Sequence, residues 1–266
     1  MLTIPTRPGL NRIVVLNSKG GCGKTTLATN LASHYALRGP RPALMDCDPQ
    51  GSAMRWLERR PAEAPPVHGI AAYKRNMAAT QSWQLRVPQE TETLIVDSPA
   101  GLDRDALRQL TRDATSLIIP VMPSAIDIHA TARFIGELLI GAGVDRRRRN
   151  VAVVANRIRR NTRSFIKLTR FLESLEIPVI AALRDVQAYV SAAEDGIGLY
   201  EMKPYRVRKD LVHLDRIVAW LEGWRSRVPG AEPEEPVRPG TQAAAPTVRD
   251  GPQWSAPGSG PGAGHR

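Results

Sequence analysis

Two lysines, Lys19 and Lys24, bracket a glycine-rich turn in the segment SKGGCGKTT, residues 18–26, and Asp46, Asp48 and Asp97 each stand at or just past the end of a short apolar run. Ammonium groups, a hydroxyl and the N–H groups of a glycine turn form the donor set that receives nucleotide phosphates, and nearby carboxylates can hold a hydrated cation or orient a water. The segment follows an apolar run and opens an amphipathic stretch, the strand-to-helix context a phosphate loop requires. Gly20, Gly21 and Gly23 let the backbone curl, so that the N–H groups of the loop, including those of Cys22 and Thr26, face the phosphates. Lys24 is then expected at the β- and γ-phosphates, and the Thr25 hydroxyl on Mg²⁺.

The common phosphate-loop pattern G-x-x-x-x-G-K-[ST] begins with a glycine, and here that place is taken by Ser18. The loop reads K-G-G-x-G-K-T, so Lys19 is a second lysine where one nucleotide already has Lys24. On these residues the chain resembles the deviant Walker A ATPases of the ParA/MinD family, most closely small ParA-type partition ATPases. The resemblance implies a P-loop NTPase that binds ATP and Mg²⁺ and forms a sandwich homodimer in which Lys19 reaches the partner's nucleotide. It also implies weak hydrolysis of ATP to ADP and phosphate, stimulated by a cargo-adaptor protein, and nonspecific DNA binding by the ATP dimer.

In DCDPQGSA, Asp46 and Asp48 suit either a metal-bound water or the attacking water, although Asp-Pro-Gln-Gly is also good turn chemistry. The resemblance assigns Asp48 to hydrolysis and puts Asp46 nearer the magnesium shell. LIVDSPAG, residues 94–101, looks like Walker B, with Asp97 holding Mg²⁺ through water and the following residues resembling a switch loop. Farther on, Asn156 in VVANRIR and Leu183 fall where the family contacts the adenine base.

These residues need a scaffold, and the apolar runs supply one. Runs at 13–16, 43–45, 94–96, 117–121, 151–155 and 179–183 alternate with amphipathic stretches, which is the rhythm of an α/β fold: a doubly wound, mostly parallel sheet with helices on both faces. Leu211, Leu214, Ile217, Val218 and Leu221 give a last helix over 207–227. The reading is one ATPase domain over 1–228 and a disordered tail over 229–266, which is rich in Pro and Gly and has no hydrophobic periodicity.

The chain has 37 Lys and Arg against 26 Asp and Glu, a formal charge of +11, which favours a polyanionic partner or reflects a solvated basic surface. Arg157, Arg159, Arg160, Arg163, Lys167 and Arg170 form one basic segment, Arg146–Arg149 a second, and Arg206, Arg208 and Lys209 open the last helix and are the preferred DNA contacts. Such contacts go to the backbone and carry no sequence information. Relatives that read sequence place a helix-turn-helix domain ahead of the first strand, and the first apolar run here starts at 13, so sequence-specific reading is not expected.

No run reaches the length of a membrane helix and the N-terminus lacks the apolar core of a signal peptide, so a cytoplasmic protein without membrane binding is expected, and the resemblance implies that it is nucleoid-associated. Cys22 and Cys47 lack metal-ligand spacing and are read as structural thiols. Their positions also argue against the iron–sulfur reductases of this fold. The alternatives are a MinD-like ATPase that positions a membrane or division site, although the Pro/Gly tail cannot form its amphipathic helix, and an ATP-dependent amide ligase, for which no glutaminase Cys/His pair is present.

Overall fold

The computed structural model describes residues 7–39, 41–74, 85–123, 125–145, 149–158, 163–174 and 177–225. The expected tail, Arg159, Arg160 and Arg146–Arg148 lie outside the described residues.

Seven strands form one parallel sheet: β1 (Asn11–Val15), β2 (Ala43–Asp46), β3 (His68–Ala71), β4 (Thr93–Asp97), β5 (Ser116–Val121), β6 (Asn150–Ile158) and β7 (Val179–Arg184). Their spatial order is β3-β2-β4-β1-β5-β6-β7, and every pairing is parallel. Parallel strands need long crossovers, and the intervening helices are α1 (Lys24–Arg38), α2 (Ser52–Glu58), α3 (Arg104–Thr111), α4 (Ala125–Gly136), α5 (Arg163–Ser174), α6 (Gln187–Glu194) and α7 (Pro204–Arg225). A π-helical turn, Glu137–Gly141, prolongs α4, and a 3₁₀ turn, Leu199–Glu201, precedes α7.

The apolar strands are buried because helices cover both sides of the sheet. Along β1 the side chains alternate: Ile13 and Val15 join a core with Leu27 and Leu31 of α1, Trp56 of α2 and Leu214 and Ile217 of α7. Val14 and Leu16 join the opposite core, with Leu107 of α3, Phe134 of α4 and Leu168 and Leu172 of α5. The six strands legible as apolar runs are all present. β3 is the exception, a short edge strand, His-Gly-Ile-Ala, in which only Ile70 is buried.

Strand order fixes where the chemistry sits. β1 lies between β4 and β5, and the chain leaves β1 toward β2 on one side and later continues from β5 to β6 and β7 on the other. Loops at the carboxyl ends of strands on either side of such a switch point part to leave a crevice, where ligands of open α/β sheets bind. Register levels the acidic strand ends there, since Asp97 pairs with both Val15 and Asp46.

Candidate functional site: a phosphate loop beside two acidic strand ends

The loop after β1 is anchored before it turns. Buried Asn17 donates from Nδ2 to the Pro120 carbonyl (2.8 Å) and accepts the Lys19 N–H at Oδ1 (3.2 Å), tying the loop to the end of β5. The turn then needs left-handed backbone at Gly21 (φ 73°) and Gly23 (φ 96°), a conformation L side chains rarely adopt. A side chain on Gly23 would also collide with the Asn156 amide. Gly23 caps α1, whose first-turn N–H groups open toward the crevice.

The Lys24 ammonium is nearly buried and donates to the Lys19 carbonyl (3.0 Å), which also accepts from the Cys22 thiol (3.2 Å). This places Lys24 inside its own loop with a single carbonyl partner that a phosphate oxygen can replace. Lys19 is half-buried on the same loop. The Thr25 hydroxyl donates to Asp97 Oδ2 (2.6 Å), while Asp97 Oδ1 is buried without a hydrogen-bond partner among the described residues. Burial pushes the Asp97 carboxyl up to about 7; the Thr25 hydrogen bond pulls the other way and the Asp46 charge adds to the rise. A buried, orphaned carboxylate oxygen beside a hydroxyl fits a hydrated divalent cation.

Asp48 and Asp46 divide the work at the end of β2. Asp48 lines the crevice and accepts the Gln50 N–H at Oδ1 (2.9 Å). Asp46 is fully buried, and both its oxygens are engaged: Oδ1 accepts the Asp48 N–H (3.0 Å), and Oδ2 accepts the N–H groups of Ala53 (2.9 Å) and Met54 (3.1 Å) at the start of α2. Its carboxylate satisfies three backbone donors that would otherwise be buried unpaired, and so it folds the loop that carries Asp48.

Together these elements wall a cavity of about 550 Å³ lined by the glycine loop, Lys24, Thr25 and Thr26, by Asp48, Pro49, Gln50 and Ser52, by Pro99 and Ala100, and by Arg157. The loop after β4 is joined to the phosphate loop by Gly101 N–H donating to the Ser18 carbonyl (3.0 Å). Cys22, Asn156 and Leu183 do not line the cavity. Leu183 is a core side chain on the α1 and α7 face of the sheet. The Asn156 amide is spent on backbone, donating to the Cys22 carbonyl (2.7 Å) and accepting the Arg157 N–H (2.9 Å), so it positions the glycine loop rather than facing the cavity.

The basic residues separate by use. Arg206, Arg208 and Lys209 are exposed on α7, as are Lys167 and Arg170 on α5. Arg149 instead donates to the Ala114 carbonyl (2.9 Å) and to the Arg112 carbonyl, which makes it a clip between loops. Arg157, which sequence places in a DNA-facing segment, stands in the cavity wall. Sequence does not single out Asn17, which only its adjacency to the lysine loop could signal, whereas Pro99 and Ala100 fall in the segment that resembles a switch loop.

Burial pushes both thiols up, Cys47 further than Cys22, so neither is a ready nucleophile. Among the described residues no cluster of His, Cys, Asp and Glu could hold a metal without another ligand, and no helix is long and apolar enough to cross a membrane.

Comparison with known proteins agrees with this arrangement. Residues 13–199 match the family described as the CobQ/CobB/MinD/ParA nucleotide binding domain. The chain is similar to Maintenance of carboxysome distribution protein A of Gloeobacter kilaueensis, 30% identical over 216 residues, covering 80% of this chain and 95% of that protein. Its counterpart in Halothiobacillus neapolitanus is 29% identical over 191 residues, covering 71% and 87%. Among solved structures, the fold resembles an ATP complex of a Cyanothece McdA variant, with a TM-score of 0.58, 15% identity, and coverage of 82% of this chain and 95% of that one. A seven-stranded parallel sheet, a glycine loop with two lysines and this family match together assign the chain to the ParA/MinD family of P-loop nucleotide-binding ATPases.

Proposed function

We propose that this protein is a MgATP-driven positioning ATPase of the ParA type, which dimerises around ATP, holds nonspecific DNA as a dimer, and releases it when a cargo adaptor stimulates hydrolysis. The observation that carries this reading is the convergence on one cavity of Lys24 and Thr25 from the glycine loop and Asp48 from the end of β2, with Asp97 hydrogen-bonded to Thr25 beneath it.

Thr25 Oγ1 and, through water, Asp97 would hold Mg²⁺, which when bound neutralises charge between the β- and γ-phosphates. The loop N–H groups and the opening turn of α1 bind the phosphates, and Lys24 exchanges the Lys19 carbonyl for phosphate oxygens. Asp48 orients the attacking water, its position set by the Asp46 clasp beneath it. Pro99 and Ala100, joined to the phosphate loop through Gly101 and Ser18, sense whether the γ-phosphate is present. Two protomers face each other across their triphosphates, and Lys19 of each offsets the charge of the other's nucleotide. The exposed cations of α7 supply a face for the DNA backbone. Relatives named for the maintenance of carboxysome distribution favour a positioned cargo over a small-molecule substrate, and membrane binding does not enter this cycle.

The test is Asp48→Ala. ATP binding should persist, phosphate release should fall by at least about tenfold in the presence of DNA, and the protein should stay on DNA through ATP chase in a filter-retention assay. Hydrolysis at the unsubstituted rate would remove Asp48 from the water-orienting role.

A further inference from the structure

Behind the loop that carries Asp48 stands a residue just past the edge strand β3, Tyr73. The joint is Gly51, which closes the loop and caps α2 with left-handed backbone (φ 64°). A Cβ placed on Gly51 would lie 2.6 Å from the Tyr73 hydroxyl oxygen and 3.0 Å from Cζ of the same ring, and the three atoms nearest to it all belong to Tyr73. These distances are inside ordinary van der Waals contact, so the ring occupies the place of a side chain at position 51. Gly51 is buried there, while Gln50 and Ser52 on either side of it line the cavity and Tyr73 does not. Tyr73 thus backs the loop without entering the site.

The edge strand delivers the ring. Ala72 N–H donates to the Asp46 carbonyl (2.8 Å), extending the β2–β3 pairing, and Lys74 N–H donates to the Ala71 carbonyl (3.3 Å) in the turn that carries Tyr73. The loop itself is a small closed unit. Asp48 accepts the Gly51 N–H at its carbonyl (2.8 Å) and the Gln50 N–H at Oδ1 (2.9 Å), and Arg55 donates to the Gln50 carbonyl and the Ser52 hydroxyl (3.0 Å). Asp46 holds the base of this unit, and Tyr73 meets its closing residue. A shift of Gly51 therefore passes to the Asp48 carboxylate through one hydrogen-bonded turn. An aromatic ring, with two side-chain torsions, is a stiff support for such a loop. Misplacing a positioning group by about 1 Å can cost on the order of a hundredfold in rate.

We infer that Tyr73 is a positioning residue for ATP hydrolysis: its ring, pressed on Gly51, sets the place of the Asp48 carboxylate in the cavity. The inference rests on the water-orienting role proposed for Asp48 and adds to it the residue that holds Asp48 in position.

Single-turnover hydrolysis of MgATP by the full chain, with MgATP affinity measured separately by calorimetry, tests it. Tyr73→Ala should slow hydrolysis about tenfold and leave affinity within about twofold. Tyr73→Leu, which keeps apolar bulk but does not reach Gly51, should do the same and serves if the alanine variant fails to fold. Tyr73→Phe, which keeps the ring, should retain at least about half of the rate. Gly51→Ala drives a methyl group against the ring, so it should slow hydrolysis in the unsubstituted chain and add less than about twofold to the loss in Tyr73→Ala, since two changes at one contact are not additive. Hydrolysis by the alanine and leucine variants at the unsubstituted rate, a loss of MgATP affinity equal to the loss of rate, or independent losses from the Gly51 and Tyr73 changes would each overturn the assignment. Hydrolysis by Asp48→Ala at the unsubstituted rate would overturn the reading of Asp48 and the role of Tyr73 with it, whereas a slow Asp48→Ala beside an unimpaired Tyr73→Ala would remove the role of Tyr73 alone.

Discussion

Asp46 and Asp48 are two residues apart and indistinguishable by type, yet the fold gives one to the backbone and the other to the crevice. Both stand where a carboxylate could meet a metal or a water, so sequence alone could not separate them. What separates them is the return path of α2, whose first N–H groups, from Ala53 and Met54, arrive under Asp46 Oδ2. By contrast, Lys24 and Thr25 are legible because their roles depend on a local turn and its glycines, and Asp97 because a buried strand ends on it. Asn156 is legible as significant but its partner is not: its amide reaches the Cys22 carbonyl, 134 positions away in the chain, an interaction only tertiary structure supplies. Removing the Asp46 carboxylate leaves three backbone donors unpaired in a buried place. Asp46→Ala is therefore expected to cost about 3 kcal/mol of stability, read from urea unfolding, and to abolish stimulated hydrolysis without altering the exposed cations that would meet DNA. A loss below about 0.5 kcal/mol would show that the clasp contributes little.

At the scale of elements, the apolar runs located six of seven strands because parallel strands covered on both sides must be apolar throughout. β3 escaped because an edge strand with one buried residue has no such run, and α2 because its start reads as turn chemistry. α7 begins at Pro204, earlier than its apolar spacing indicated, which puts Arg206, Arg208 and Lys209 in its first two turns on exposed positions. Charge reversal at Arg206 and Arg208 together should lower DNA affinity at least about tenfold and reduce the salt slope by about 2, one for each phosphate no longer neutralised. An unchanged slope in fluorescence anisotropy titrations would move the DNA face elsewhere, with Lys167 and Arg170 of α5 next in line.

The long scaffold helix α1 carries a further test. Burial, aided by Arg38, lowers His34 from 6.5 to about 4, with the Tyr200 ring tilted against it at 57°, centroids 4.4 Å apart. The folded state therefore binds fewer protons than the unfolded chain between those values. Its contribution to stability is full above pH 6.5 and is lost as pH falls toward 4. His34→Phe should flatten that slope, on the order of 1 kcal/mol between pH 7.5 and 5 in chemical unfolding. An unaltered slope would place the acid sensitivity on other groups.

For the whole molecule, the excess of 11 positive charges is at odds with two copies meeting face to face unless something anionic lies between them. In the proposed dimer two triphosphates supply that charge, and a loop with two lysines supplies a cation for each side of the seam. One cavity accounts for Lys24, Thr25, Asp48 and Asp97 within a single chain, whereas the proposed dimer gives Lys19 its task at the partner's nucleotide. The proposed dimer is also the state on which the proposed DNA retention and adaptor-triggered release depend. The most direct measurement is multi-angle light scattering of the full chain with Mg²⁺ and a non-hydrolysable ATP analogue. The chain of 29.2 kDa should double in mass with the analogue and remain single with ADP, and Lys19→Ala should bind the analogue yet stay single. A monomer at saturating analogue, or a Lys19→Ala protein that dimerises as readily as the unsubstituted chain, would contradict the account.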